Sequence, residues 1–223
     1  ALPILLFTPG YPGYTRGVVA TGPGEVIVTT AMGQVSRWRP ADQAHEVIAE
    51  DFDQLQGVAV APNGAVVFAE TATGRVHASA GGKTEVLAEG LNFPAGIAVA
   101  ADGAVLVSEA GAGRVVKLAG GRAETVLDGL NKPHGIIARG DGLYVLDVGA
   151  RELIAYGLKT KARNVIAAQL PVGAPAGVTP KYLKAIPPLS GPMIPFAGIT
   201  AASDGTIYVS GDAEGSVLAV RPR

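Results

Sequence analysis

The chain has 223 residues, a formal net charge of −1 and 48% hydrophobic residues, with 5% aromatic residues and no cysteine. A chain of this length and hydrophobic content can bury the core of one large domain. The lack of cysteine excludes disulfides, thiol nucleophiles and thiolate metal ligands. The near-zero charge without a basic run argues against a nucleic-acid partner, and no apolar run is long enough to predict a membrane span.

The N-terminal segment ALPILLF is predicted to be an apolar strand. It is too short to cross a membrane and lacks the basic region of a signal peptide. The chain begins with Ala instead of Met, which indicates trimming by a protease, on export or during preparation. These observations leave the cellular compartment open, with an exported location as one interpretation.

One unit of about 40 residues recurs along the chain. The segment GVAVAPNGAVVFAETATGRV begins at Gly57, and GIAVAADGAVLVSEAGAGRV begins at Gly96, 39 residues later (57 to 96). Further copies begin at Gly17, Gly135 and Gly198. A repeat of this length that contains four short strands is typical of a β-propeller blade.

The third copy shows how one unit is built. A small apolar strand starts at Gly96, and Asp102-Gly103 is a turn of the kind that joins antiparallel strands. Three more strands are predicted at 104–108, 114–118 and 123–127. A four-stranded meander of this kind cannot bury both faces alone, so we expect neighbouring units to pack against one another.

Counting the units predicts an all-β propeller of five blades, with six as the alternative if one degenerate blade escapes recognition. The last unit ends at Arg223 after three strands. The apolar strand Leu2–Phe7 has no blade of its own, so we expect it to supply the missing strand and to close the last blade.

One interval breaks the period. Gly135 and Gly198 lie 63 residues apart (135 to 198), and the surplus falls in a segment over 171–197 that contains seven prolines. Such proline density argues against regular strands or a long helix. We therefore predict a single domain over 1–223 whose proline-rich insertion is a lid or binding loop over the mouth of the central channel, with a surface linker as the alternative.

Acidic residues end the second strand in three consecutive units, at Glu70, Glu109 and Asp147. The start of the first strand and the end of the second lie on the same face of a blade, which places His134 on that face too. Converging carboxylates recruit a hard divalent cation such as calcium, magnesium or manganese, and histidine adds a base or nitrogen ligand. The alternative is that these acids bind backbone amides at the strand ends.

The units Pro94-Ala-Gly96 and Pro133-His-Gly135, with a strand that ends in an acid, resemble a group of propellers. This group comprises NHL-repeat proteins, streptogramin lyases and the gluconolactonase and senescence-marker-protein family. The gluconolactonase resemblance implies a metal-ligand and base role for Asp147, because Tyr144-x-x-Asp147 matches that family's motif, while His134 stands where the family has Asn. The lyase resemblance implies a channel histidine that acts with an acid and magnesium, as His134 and Asp147 would.

The sequence therefore predicts a divalent-metal-dependent hydrolase of a lactone or cyclic ester, with its active site at the channel mouth. His134 and Asp147 are the predicted catalytic residues, Glu70, Glu109 and Asp147 are the predicted metal ligands, and the substrate is a small molecule. Two alternatives stay open: a C–O lyase similar to streptogramin lyases, and a non-catalytic NHL-type binding or sensor propeller with a protein partner.

Overall fold

A computed structural model describes residues 15–174 and 197–221, and regular structure in these residues is entirely β. No helix in the described part is long and apolar enough to cross a membrane. The nineteen strands are β1 Thr15–Gly22, β2 Glu25–Thr30, β3 Val35–Arg39, β4 Ala44–Ala49, β5 Leu55–Val60, β6 Val66–Glu70, β7 Arg75–Ala80, β8 Lys83–Ala88, β9 Pro94–Val99, β10 Val105–Glu109, β11 Arg114–Ala119, β12 Arg122–Leu127, β13 Pro133–Arg139, β14 Gly142–Asp147, β15 Glu152–Gly157, β16 Arg163–Ala167, β17 Ile199–Ala201, β18 Ile207–Gly211 and β19 Ser216–Val220.

The strands form five antiparallel sheets in chain order, which confirms the predicted five-bladed β-propeller. The first four sheets are β1–β4, β5–β8, β9–β12 and β13–β16, and each strand pairs with its neighbour in sequence. The fifth sheet contains β17, β18 and β19 among the described residues. The predicted closing strand Leu2–Phe7 and most of the insertion over 171–197 lie outside the described residues.

Asx-Gly turns join the first and second strands of the second, third and fifth blades, and the turn in the third blade is Asp102-Gly103, as predicted. The amides of Ala65, Ala104 and Thr206 donate to the side chains of Asn63, Asp102 and Asp204 at 3.1, 3.0 and 2.8 Å. The glycine between the members of each pair has φ between 83° and 89°, a conformation that glycine adopts without steric cost. These acidic and amide side chains therefore shape turns.

The described residues divide into two compact units, 15–94 and 95–174 with 197–221. The first unit contains the first two blades, and their shared core includes Ile27, Val35, Leu55 and Phe68. The Thr29 hydroxyl, which accepts from Gly17 N at 2.9 Å, donates to the carbonyl of Gln56 in the next blade. One side chain thus joins both blades.

The second unit contains the last three blades and two cores, each between consecutive blades. The first core joins β9–β12 to β13–β15 and includes Leu106, Val115, Leu143 and Ile154. The second joins the fourth blade to the fifth and includes Leu146, Val148, Leu153, Val172, Ile207 and Val209. Burial of apolar surface between blades, instead of within one blade, explains why the repeats must pack together to be stable.

A hydroxyl bridge like that of Thr29 recurs in the second unit. Gly96 N donates to the Ser108 hydroxyl at 2.7 Å, and Ser108 donates to the carbonyl of His134 at 2.6 Å. A Cβ added at Gly96 would lie 2.2 Å from the same carbonyl oxygen. Only glycine therefore allows β9 to approach the start of β13 this closely, and the approach fixes the backbone of His134.

One backbone hydrogen bond, called the closing bond below, completes each of the first four blades. In each blade the loop that follows the fourth strand donates an amide to a carbonyl in the turn between the second and third strands. The four bonds run from Phe52 to Gly33, Leu91 to Gly74, Leu130 to Gly113 and Leu170 to Arg151, at 2.9–3.2 Å. Arg151 has φ of 59° at a position where the other blades have glycine, and its Nε also donates to Leu170 O at 2.8 Å.

Candidate functional site

Glu70 ends β6 as predicted, and its carboxylate binds donors from its own blade. Asp53 N donates to Oε1 at 2.9 Å, and Nε2 of His77 lies 2.8 Å from Oε2. The His77 ring stacks on Phe68 with centroids 5.3 Å apart. Burial alone would raise the pKa of Glu70, but hydrogen bonds from Thr73, Asp53 N and His77 outweigh burial and leave that pKa below its usual value. Glu70 is therefore held ionised by local donors.

Glu109 ends β10 and is 1% exposed. Its Oε2 accepts a hydrogen bond from Nε of Arg114 at 2.6 Å, and the two residues are paired across β10 and β11. A charge-assisted bond of this length offsets the cost of burying a carboxylate. The pair therefore joins two neighbouring strands of one blade.

Asp147 ends β14 and is also 1% exposed. Its two oxygens accept from the amides of Asn131 and Lys132 at 2.8 Å each, and Oδ1 also lies 3.3 Å from Ala150 N. The carboxylate thus holds the loop that leads into β13. These contacts match the alternative in which such acids bind backbone amides at the strand ends, and they fix the backbone just before His134.

The described residues contain no group of three His, Asp or Glu side chains placed to hold a metal ion. The three predicted ligands, Glu70, Glu109 and Asp147, each bind donors of their own blade. Their oxygens therefore do not present the set of free acceptors that a hard divalent cation prefers. The divalent cation predicted from the sequence stays a prediction.

His134 is the second residue of β13 and is 8% exposed. Within the described part of the chain, its Nε2 is buried and has no hydrogen-bond partner. Burial lowers the pKa of His134, and a hydrogen bond to the Ala197 backbone opposes this effect by stabilising the charged ring. Because Nε2 is unpartnered, the bond to Ala197 uses Nδ1 as its donor, and Nε2 carries the lone pair of a neutral imidazole.

Asp212 is the carboxylate whose charge acts on His134. Its negative charge raises the pKa of His134, while the positive charge of Lys132 lowers it. Oδ1 of Asp212 accepts from Gly173 N at 2.8 Å, and Ala213 N donates to Pro171 O at 3.1 Å. The first residues of the predicted insertion therefore bind the turn that carries Asp212.

The predicted pairing of His134 with Asp147 differs from the described contacts. Pro133 is the register partner of Asp147, but both Asp147 oxygens point to loop amides, and none of the described hydrogen bonds joins them to His134. Sequence reasoning missed Asp212 because the repeat aligns Gly211 with the acids that end the other second strands. Asp212 directly follows Gly211 in the sequence, and this neighbouring acid was the signal that could have identified it.

Known structures share this fold. The gluconolactonase XC5397 from Xanthomonas campestris has 20% identity over 94% of this chain and 76% of its own, with a TM-score of 0.67. Virginiamycin B lyase from Staphylococcus aureus has 14% identity over 98% and 72%, with a TM-score of 0.62. A chain of the nidogen–laminin complex has 18% identity over 69% of this chain, which spans 63% of that chain's length, with a TM-score of 0.62.

No protein-family model and no curated protein matches the chain by sequence. The resemblance to gluconolactonases, streptogramin lyases and NHL-type propellers is therefore confirmed at the level of fold. One propeller architecture hosts enzymes and binding proteins alike, so the fold alone does not indicate an activity.

Proposed function

We propose that the protein is a hydrolase of a lactone or cyclic ester and that His134 is its general base. The observation that carries the proposal is the buried, unpartnered Nε2 of a neutral imidazole. A base that is neutral near pH 7 can take a proton without first losing one. The hydrogen bond from Nδ1 to Ala197 fixes the tautomer, and the charge of Asp212 stabilises the imidazolium that forms.

The chemistry at Nε2 follows from this arrangement. His134 removes a proton from a water molecule as the water oxygen adds to the ester carbonyl. The ring C–O bond then breaks, and the imidazolium returns the proton to the departing alkoxide, which gives a hydroxycarboxylate. Because Nε2 is buried, side chains that cover the ring must move before a substrate contacts it.

The same histidine also suits an elimination reaction, and the fold likeness to virginiamycin B lyase is the reason to test for one. In an elimination, Nε2 would remove a proton next to a carbonyl, and the C–O bond would break without water. Turnover in water enriched in oxygen-18 distinguishes the two reactions. Hydrolysis places one heavy oxygen in the product carboxylate, whereas elimination gives an unsaturated product without it.

The test of the proposed base is turnover of a panel of lactones and cyclic esters by His134→Gln. Gln occupies the matching position of the second blade at Gln56, so the variant suits this backbone. We expect a loss of about 100-fold or more in kcat/KM, the contribution typical of a general base. His45→Gln, which changes a histidine in β4, is the control and should retain activity. Unchanged turnover in His134→Gln would overturn the proposal.

The predicted divalent cation has its own test, because the proposal assigns it no step. Calcium, magnesium and manganese are each added to the chelator-treated protein, and thermal unfolding is followed. An ion bound only by the folded state raises the melting temperature as its concentration rises. A shift that disappears in Glu109→Gln would support the ligand role predicted for that residue, and the lack of any shift would argue against the cation.

A further inference from the structure

A polar cleft lies between the fourth and fifth blades, on elements of the second unit. Its volume is about 480 Å³, within the range of small-molecule sites. Its lining residues include Arg139, Tyr144, Asp204, Thr206 and Arg221. Arg139 ends β13, whereas His134 lies near the other end of that strand. Five residues of extended strand separate the two by roughly 17 Å, so the cleft is distinct from the candidate active site.

The guanidinium of Arg139 is held in place by two backbone carbonyls. Its NH1 and NH2 donate to the carbonyls of Ala202 and Ser203 at 2.5 and 2.6 Å. A guanidinium has five N–H donors, so donors remain after these two bonds. None of the ion pairs within the described residues involves Arg139 or Arg221. The two arginines thus make no close ion pair within the described residues, and their positive charges act at longer range on the carboxylate of Asp204.

Asp204 supplies the opposite charge in the same cleft. Its Oδ1 accepts from Thr206 N at 2.8 Å. Hydrogen bonds from the Thr206 amide and hydroxyl lower the pKa of Asp204, and the positive charges of Arg221 and Arg139 lower it further, so the carboxylate is ionised at neutral pH. A bare anion would be attracted by the arginines and repelled by Asp204. A ligand that places a hydrogen-bond donor beside its anionic group satisfies both.

We propose that this cleft is a binding site for a small hydroxycarboxylate. The carboxylate of the ligand binds Arg139 and Arg221, and its hydroxyl donates to Asp204. Arg139 is already fixed by two carbonyls, so its ordering costs little on binding. Planar carboxylate oxygens match the fork of a guanidinium better than a single point charge does.

The experiment is a titration of the ¹⁵N-labelled protein with malate, succinate or inorganic phosphate, followed by NMR. Malate has a hydroxyl next to a carboxylate, succinate lacks the hydroxyl, and phosphate tests tetrahedral anions. We expect malate to bind more tightly than the other two and to shift the amides of 201–207. Shifts confined to residues outside the cleft, no binding of malate, or preference for phosphate would overturn the proposal.

Two variants and a control assign the contacts. Arg221→Gln should weaken malate binding by about tenfold, the effect of losing one hydrogen bond between charged groups. Asp204→Asn retains an oxygen acceptor for Thr206 N but loses the charge, so succinate should bind more tightly and the preference for malate should disappear. Arg122→Gln changes an exposed arginine of β12 outside the cleft and should bind malate as the native protein does. Native affinity in Arg221→Gln would contradict the assignment.

Discussion

The position before the blade glycine shows how one residue can change the chemistry of a repeat. Gln56, Ala95 and His134 occupy this position in three consecutive blades, and all three are buried. Replacing a buried Ala by His introduces a titratable ring where water is excluded. Its pKa falls because burial disfavours the charged form. The same backbone thus hosts a packing residue in one blade and a candidate base in the next.

Protonation of His134 should reduce the stability of the native protein. An unfolded histidine has a pKa of about 6.5, so below that pH the unfolded state binds more protons than the folded state, and the free energy of unfolding falls as the pH falls. In His134→Gln this dependence is removed. As the pH falls, the native protein should therefore lose stability relative to His134→Gln.

Urea unfolding at several pH values from about 7.5 down to 5.5 measures this difference. Glu70 does not interfere, because the pKa of a stabilised carboxylate lies lower and its contribution is lost only in more acidic solution. A difference between the two proteins that is independent of pH would show that His134 titrates normally.

The acids at the strand ends show what sequence can and cannot predict at this scale. The repeat placed Glu70, Glu109 and Asp147 correctly at the ends of β6, β10 and β14. It did not predict their partners, because Asp147 binds amides whose directions depend on the loop conformation before β13. Asp212 was missed since a shift of one residue removes an acid from the aligned position. The repeat thus predicts where a residue lies along its strand, whereas its hydrogen-bond partners depend on loop conformations that the repeat does not specify.

At the level of strands, a side-chain hydroxyl near the end of the second strand can connect one blade to the next. Thr29 and Ser108 each accept an amide of their own blade and donate to the following blade. The matching position in the second blade is Ala69, and in the fourth blade it is Leu146. Blades of similar pattern therefore use two kinds of contact at the same place, one polar and one apolar.

Ser108→Ala should destabilise the protein by about 1–3 kcal/mol, because it leaves the buried amide of Gly96 without an acceptor. Ser79→Ala is a matched comparison. The Ser79 hydroxyl is buried too, but it has no hydrogen-bond partner in the described part of the chain, so its removal should be close to neutral or stabilising. Urea unfolding of both variants is the measurement, and equal losses would contradict the bridging role of Ser108.

For the whole molecule, the important feature is that each described core is shared by two consecutive blades. Leu143 of β14 is fully buried in the same core as Leu106 of β10 and Val115 of β11. The repeat period predicted this arrangement, since a four-stranded sheet must cover its faces with neighbouring sheets. The number of blades could thus be predicted from sequence, whereas the course of the 171–197 insertion could not, because its prolines specify no regular pairing.

Leu143→Ala should cost about 2–5 kcal/mol, as expected for a cavity in a well-packed core. Hydrogen exchange should show faster exchange of amides in β10 and β11 as well as in β13–β16, because the cavity opens into a core of both blades. Val165→Ala, which truncates a half-exposed side chain on β16, is the control and should change stability by about 0.5 kcal/mol or less. Faster exchange limited to β13–β16 would contradict a shared core.

The closing bond from Leu170 to Arg151 has a consequence for which parts of the chain can change in length. It closes the fourth blade just before the segment over 171–197 begins, so the sheet is complete before the chain departs from the repeat. Beyond Leu170, Val172 still packs in the core with Leu146 and Leu153, and Gly173 binds the turn that carries Asp212. Since these contacts end at Gly173, we expect changes in chain length after Gly173 to leave the pairing of β13–β16 unchanged, so that one loop can be exchanged while the repeats stay as they are.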